Sequence, residues 1–263
     1  MNFETIINIT CTIISLIAIC QWVITGINKL VKYFRDLKHL KQALQISSKS
    51  CCISLSVFEK RITGNVHDYI TLYAVKSYQL LETILEKNEI SIQPMSTSYE
   101  GNNDKIYIGG PAANVEVNSL LTRFKEFKYY TESHQESTYD KNEINQHFIV
   151  YDDNKKGFMF KDRFFKIDKK TNDVGIFIRI PKNEKKGINY TSHIIFAAWD
   201  VGTYNAVEFF VNNYKIISKK FKNRPYCFVV PISRIDNSTR LLTENDIEDV
   251  SKEFFKGTDI LNY

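Results

Sequence analysis

The chain has 263 residues, of which 43% are hydrophobic and 13% aromatic, enough for a packed core and incompatible with wholesale disorder. Its formal net charge of +5 is unevenly spread: residues 1–28 carry only Glu4, whereas residues 29–41 hold Lys29, Lys32, Arg35, Lys38 and Lys41 against Asp36. The remainder is close to neutral, which leaves no broad basic face for nucleic acid.

The first element is an uncharged run of 24 residues, Thr5 to Asn28. As a helix it would be about 36 Å long, sufficient to cross a hydrocarbon core of about 30 Å with some tilt. A secretory signal peptide would want positive charge ahead of the apolar stretch, but MNFE is acidic and the lysines follow. A buried core helix is the other alternative, because Asn8, Thr10, Thr12, Ser15, Gln21 and Thr25 are polar. The same residues suit helix association in lipid, so a homo-oligomer in the bilayer is expected. The trailing lysines predict that the part beyond residue 28 stays cytoplasmic. Residues 29–46 continue as an amphipathic stalk, and SSKS (47–50) reads as a linker to a self-contained domain. The division is thus 1–28 transmembrane helix, 29–50 basic stalk and linker, and 51–263 cytosolic domain.

Within that domain, CISLSVF (52–58) predicts a buried strand, 64–89 a long helix and 90–95 a second strand. KIYIGG (105–110) predicts a strand and 116–130 a helix, followed by a polar loop over 131–146. Residues 147–181 alternate like antiparallel strands. Then come a strand over 190–200, a helix to Phe221, a strand over 224–232 and a last helix over 242–257, with Thr243 as its N-cap. This order predicts an α/β domain with a Rossmann-like, mainly parallel sheet interrupted by an antiparallel insertion, preceded by one N-terminal transmembrane helix. The five cysteines show no zinc spacing, and the vicinal pair Cys51–Cys52 suits core filling.

In such sheets ligands bind beyond the carboxyl ends of strands. Two turns have suitable chemistry. Gly109-Gly110-Pro111-Ala112-Ala113-Asn114 links a strand to a helix, with glycines that admit positive φ and close backbone approach. It carries neither a Walker GK[ST] nor a GxGxxG dinucleotide fingerprint, so no cofactor is expected. Trp199-Asp200-Val201-Gly202-Thr203 links a second strand to a second helix; Asp200 is either an acceptor for ribose hydroxyls or a helix cap. Arg179, on an alternating strand, either clamps a phosphate or points to solvent. His67-Asp68 is either an acid/base pair or a helix start, and His193 suits a core position. The candidate ligand-binding set is Gly109, Gly110, Pro111, Asn114, Arg179, Asp200, Gly202 and Thr203, with no metal.

The Asp200-Val201-Gly202-Thr203 stretch resembles part of the DxGTxxE pattern of nucleoside 2-deoxyribosyltransferases, a Rossmann-like family that cleaves N-glycosidic bonds with a glutamate. Ala206 stands at the glutamate's place, and Glu208 follows two residues later. The wider layout resembles membrane effectors of bacterial anti-phage signalling, in which a soluble sensor detects a nucleotide messenger and transmembrane helices assemble. That resemblance implies a bacterial inner-membrane protein that binds a nucleotide-type small molecule without turnover. The alternative is a membrane-tethered nucleotide or nucleoside N-glycosidase or glycosyltransferase; an adaptor would need no pocket.

Overall fold

The computed structural model describes residues 3–46, 49–62, 65–93, 103–131, 148–152, 154–182, 190–233, 244–258 and 260, with backbone alone for 3–13, 58–62, 65–68, 151, 233 and 244. Helix α1 spans Phe3–Leu44. Strand β1 (Ser50–Leu55) is followed by the hairpin β2 (Phe58–Ile62) and β3 (Asn65–Tyr69), then α2 (Leu72–Lys87), β4 (Ser91–Gln93), β5 (Asp104–Ile108) and α3 (Val115–Leu121). Next come β6 (Phe127–Thr131), β7 (Ile149–Tyr151), β8 (Gly157–Phe160), β9 (Arg163–Lys166) and β10 (Asn172–Ile180). The chain closes with β11 (Ser192–Phe196), α4 (Asp200–Phe221), β12 (Tyr226–Ser233), β13 (Glu248–Asp249) and α5 (Ser251–Phe254).

Seven strands form the central sheet in the order β13-β12-β10-β11-β5-β1-β4. The pairs β4–β1, β1–β5 and β5–β11 are parallel. Strand β10 runs antiparallel to both β11 and β12, so β12 points the same way as the parallel group. Strict alternation sorts the side chains onto two faces. Ile106, Ile108, Phe177, Ile195, Tyr226, Phe228 and Val230 join a core beneath α1, α2 and α4. Their neighbours Tyr107, Ile176, Ile178, Ile194, Cys227 and Val229 join a second core with α3, α5 and a smaller sheet, β7-β6-β8-β9. The fold is therefore a mixed, largely parallel α/β sheet covered on both faces.

Helix α1 is long and apolar enough to cross a bilayer. From Ile14 to Phe34 its large apolar side chains are exposed, Trp22 by 80%, so the core-helix alternative does not describe this stretch. Its last turns differ. Leu40, Ala43, Leu44 and Ile46 are buried in the core, so the packed unit begins inside α1, ahead of residues 47–50. Asp36 pairs with Lys215 at 2.7 Å and His39 Nδ1 meets Ser218 Oγ at 2.7 Å, fastening α1 to the C-terminal third of α4.

The end of α1 is capped from below by three residues that alternation places on that face of the sheet. Arg179 Nη1 donates to the carbonyls of Gln42 (2.7 Å) and Ala43 (3.0 Å), the Tyr226 hydroxyl donates to Ala43 (3.2 Å), and His193 Nε2 donates to Leu44. Terminal helix carbonyls lack intrahelical partners, so buried ones need such donors. Burial, reinforced by the nearby Arg179 charge, pushes the His193 pKa down to about 3. The folded-state value lies below the ordinary 6.5, so the unfolded chain takes up a proton first as the pH falls. The stability contributed by neutral His193 is therefore complete above about pH 6.5 and is lost towards pH 3, at a slope approaching about 1.4 kcal/mol per pH unit. Urea titrations should show parent and His193→Gln stabilities converging as the pH is lowered from 7 to 4.5; parallel curves would remove His193 from this role.

Three expected elements fold differently. The helix expected from residue 64 begins only at Leu72, because Asn65–Tyr69 pairs with Phe58–Ile62 and Thr71 caps α2 by accepting from the Ala74 N–H at 3.2 Å. His67 and Asp68 thus lie on a hairpin strand. The helix expected over 116–130 stops at Leu121, since Phe127 and Tyr129 point inward in strand fashion and pack among Phe148, Phe158 and Phe160. Residues 174–181, expected in the insertion, form the interior strand β10 of the main sheet. The last expected helix is reduced to Ser251–Phe254, with Gly257 beyond it at φ +74; Thr243 lies outside the described residues.

Candidate functional site

The chain leaves β5 through Gly109, whose φ of +116 favours glycine. Space demands it too, because a Cβ there would lie 1.6 Å from Ser56 Oγ. Ser56 closes over the turn with its N–H and hydroxyl both donating to Ile108 O, at 3.0 and 3.1 Å, while the Gly109 N–H donates to Ile195 O at 3.0 Å. The Gly110 and Ala112 N–H groups have no partner among the described residues. The positive φ required at this turn belongs to Gly109 alone.

The second turn is built by a residue that sequence reasoning missed. Asp173, fully buried at the head of β10, accepts from the N–H groups of Ala198 (3.1 Å), Trp199 (3.3 Å) and Val174 (2.7 Å). Helix α4 starts directly above this carboxylate. Gly202 allows that approach, since a Cβ would come within 2.0 Å of Asp173 Oδ2. Thr203 locks the loop by accepting the Ala197 N–H at 3.1 Å. An acid opening the otherwise apolar run DVGIFIRI was the available signal for Asp173.

Between the two turns lies a cavity of about 360 Å³. Gly109, Gly110, Pro111, Asp200 and Thr203 line it together, and Tyr73, Tyr129, Phe196 and Trp199 are the aromatic residues of its wall. Burial pushes the Tyr129 phenol up to about 12, so it stays protonated at neutral pH. Asp200 is the sole charged residue on the described lining. It is the first residue of α4, and its side chain has no hydrogen bond among the described residues, while its place in the first turn suits the helix dipole. A largely apolar chamber with aromatic walls, one acidic lining residue and unpaired N–H groups suits a neutral ring system carrying hydroxyl or amino donors.

The other candidates sit elsewhere. Gly202 shapes the second turn from beneath. Asn114 serves the fold: its side chain accepts from the Val117 N–H and donates to Ser54 Oγ, both at 3.1 Å. Arg179 pairs with His193 across the ladder, whereas Ile176 pairs with Phe196, so Arg179 lies about 10 Å along the strand from the cavity floor. It is fully buried beneath α1, neither clamping a phosphate at this cavity nor facing solvent. Glu208 does not line the cavity either. Among the described residues no cluster of His, Cys, Asp or Glu could hold a metal ion. Compared with family models, curated proteins and solved structures, the chain matches none.

Proposed function

We propose that this is a single-pass protein of a bacterial inner membrane, in which α1 crosses the bilayer and a cytosolic Rossmann-like domain senses a nucleotide-type small molecule. The cavity at the carboxyl ends of β5 and β11 is where open α/β sheets bind such ligands, which supports the ligand class. One observation carries the coupling: α4 contributes Asp200 and Thr203 to the cavity at one end, and Lys215 and Ser218 to α1 at the other. The 12 to 18 residues between these points make a rod of about 18–27 Å. A ligand that repositions the first turn of α4 would shift the helix on which α1 rests. In an anti-phage effector of this design the anchored helices of several copies would then assemble, using the polar residues of the uncharged run.

Full-length protein in nanodiscs, incubated with a nucleotide panel, tests this reading when thermal shift and chromatography are run on the same samples. A thermal shift without product supports a sensor, whereas product would indicate the tethered N-glycosidase or glycosyltransferase. No shift and no product with any nucleotide would sink the ligand class. Asp200→Ala should weaken the binding found by about 5- to 150-fold, the equivalent of about 1–3 kcal/mol for one lost buried acceptor. Its melting temperature should stay near the parent's, because the Asp200 side chain has no hydrogen bond among the described residues. Unchanged affinity would move the site away from this turn.

A further inference from the structure

A second cavity, of about 490 Å³, abuts the first and shares Tyr129 and Trp199 with it. Its other lining residues come from the rim of the small sheet. They are Thr131 at the end of β6, Asn154 and Lys156 ahead of β8, and Lys166 to Lys170 between β9 and β10. Four lysines, Lys156, Lys166, Lys169 and Lys170, therefore face one concavity, and Asp168 is the one acid among them. That carboxylate is engaged in its own turn, accepting from the N–H groups of Lys170 at 2.7 Å and Thr171 at 3.2 Å. Lys166, Lys169 and Lys170 have no ion pair among the described residues. The neighbouring Lys155 differs, standing over the rings of Tyr130 and Phe164 at 4.3 and 4.8 Å.

The two chambers thus have opposite electrostatic character. The first offers a carboxylate and no cation; the second offers four ammonium groups, three of them on exposed side chains, around a single carboxylate, an excess of positive charge that favours an anion. Both volumes fall within the usual size range of small-molecule sites. We infer that the two cavities are the halves of one site, the Asp200 chamber taking the nucleoside and the lysine chamber taking a chain of two or more phosphates, with Trp199 and Tyr129 at the junction. This inference rests on the nucleotide reading above and narrows it: the ligand is a nucleoside polyphosphate, whose phosphates avoid Asp200 and bind as a point-charge partner to lysine.

The test uses full-length protein in nanodiscs of zwitterionic lipid, with inorganic tripolyphosphate, the four common ribonucleosides and their triphosphates as probes. The expected result is that at least one triphosphate binds about tenfold or more tightly than its nucleoside at low salt, with the gap narrowing as salt is raised. The triple variant K166A/K169A/K170A should close that gap, leave nucleoside affinity unchanged and abolish tripolyphosphate binding. Asp200→Ala should weaken nucleoside and triphosphate alike and spare tripolyphosphate. Equal binding of nucleoside and triphosphate, or a gap that survives the triple variant, overturns the inference while the nucleotide reading stands. Tripolyphosphate binding that the triple variant abolishes, with no nucleoside or nucleotide bound, would instead retain a polyphosphate site and remove the nucleotide reading.

Discussion

A chain beginning at Ser47 is expected to fail to fold, whereas one beginning at Lys29 melts cooperatively. Truncation at residue 47 removes Leu40, Ala43, Leu44 and Ile46, all buried at 5% exposure or less. Full burial of a leucine or isoleucine side chain contributes about 1.5–3 kcal/mol, so the three large side chains together represent roughly 5–9 kcal/mol as an upper estimate. Whole domains are stable by only about 5–15 kcal/mol. The same cut removes the carbonyls that Arg179, His193 and Tyr226 occupy, leaving buried donors without acceptors. Circular dichroism of the two chains decides the matter. A Ser47 chain that melts within a few degrees of the Lys29 chain would show the α1 terminus to be dispensable.

Arg179→Met is expected to destabilise the protein by about 3 kcal/mol or more, because the carbonyls of Gln42, Ala43, Lys222 and Arg224 lose a donor and each buried group left unsatisfied costs about 1–3 kcal/mol. For a domain of this size that corresponds to a melting temperature lower by roughly 10 °C. The guanidinium joins two helix ends. Nη1 donates to Gln42 O and Ala43 O of α1, and Nη2 donates to Lys222 O at 2.7 Å and to Arg224 O just beyond α4. Carbonyl-rich helix termini carry partial negative charge, which compensates a buried cation without a carboxylate. The Tyr226 ring adds a face 4.5 Å from the guanidinium carbon. Burial lowers the arginine's pKa, yet this side chain stays charged. Arg179→Lys should recover only part of the loss, since an ammonium lacks the planar fork that spans both helix ends. Because the residue is remote from the cavity, ligand affinity measured below the transition should be unchanged. A large loss of affinity without a drop in melting temperature would return Arg179 to the binding site.

Both effects arise where α1 enters the domain, at the end of α4 opposite the cavity. The sequence there reads as a continuous amphipathic helix, LVKYFRDLKHLKQALQI, and its lysines suggest a solvated stalk. The structure divides this helix: Phe34 is 63% exposed, and six residues later Leu40 is wholly buried. Nothing in the local spacing marks that transition, because the leucines of a stalk and those of a docked terminus share one period.

Residue chemistry alone determined what is local in this protein. An uncharged stretch of 24 residues suits a span or a core, and the positive charge behind it carries only an expected direction. Strands and helices alternate through β5, α3, β11, α4 and β12 because side-chain periods of two and of about 3.6 are properties of the chain itself. The two glycine-bearing turns were legible for the same reason: a positive φ at Gly109 and a close approach at Gly202 leave their mark on single residues. Tertiary structure decided everything that depends on which elements meet. Arg179 and Ala43 lie 136 residues apart, and only the packing of α1 across the sheet turns a candidate phosphate clamp into a helix cap. Aromatic residues such as Phe127 and Tyr129 fit a helix or a strand until a second sheet supplies their partners. Asp173 acquires its role in the same way, because a buried charge becomes a support only through the groups that distant segments bring beside it.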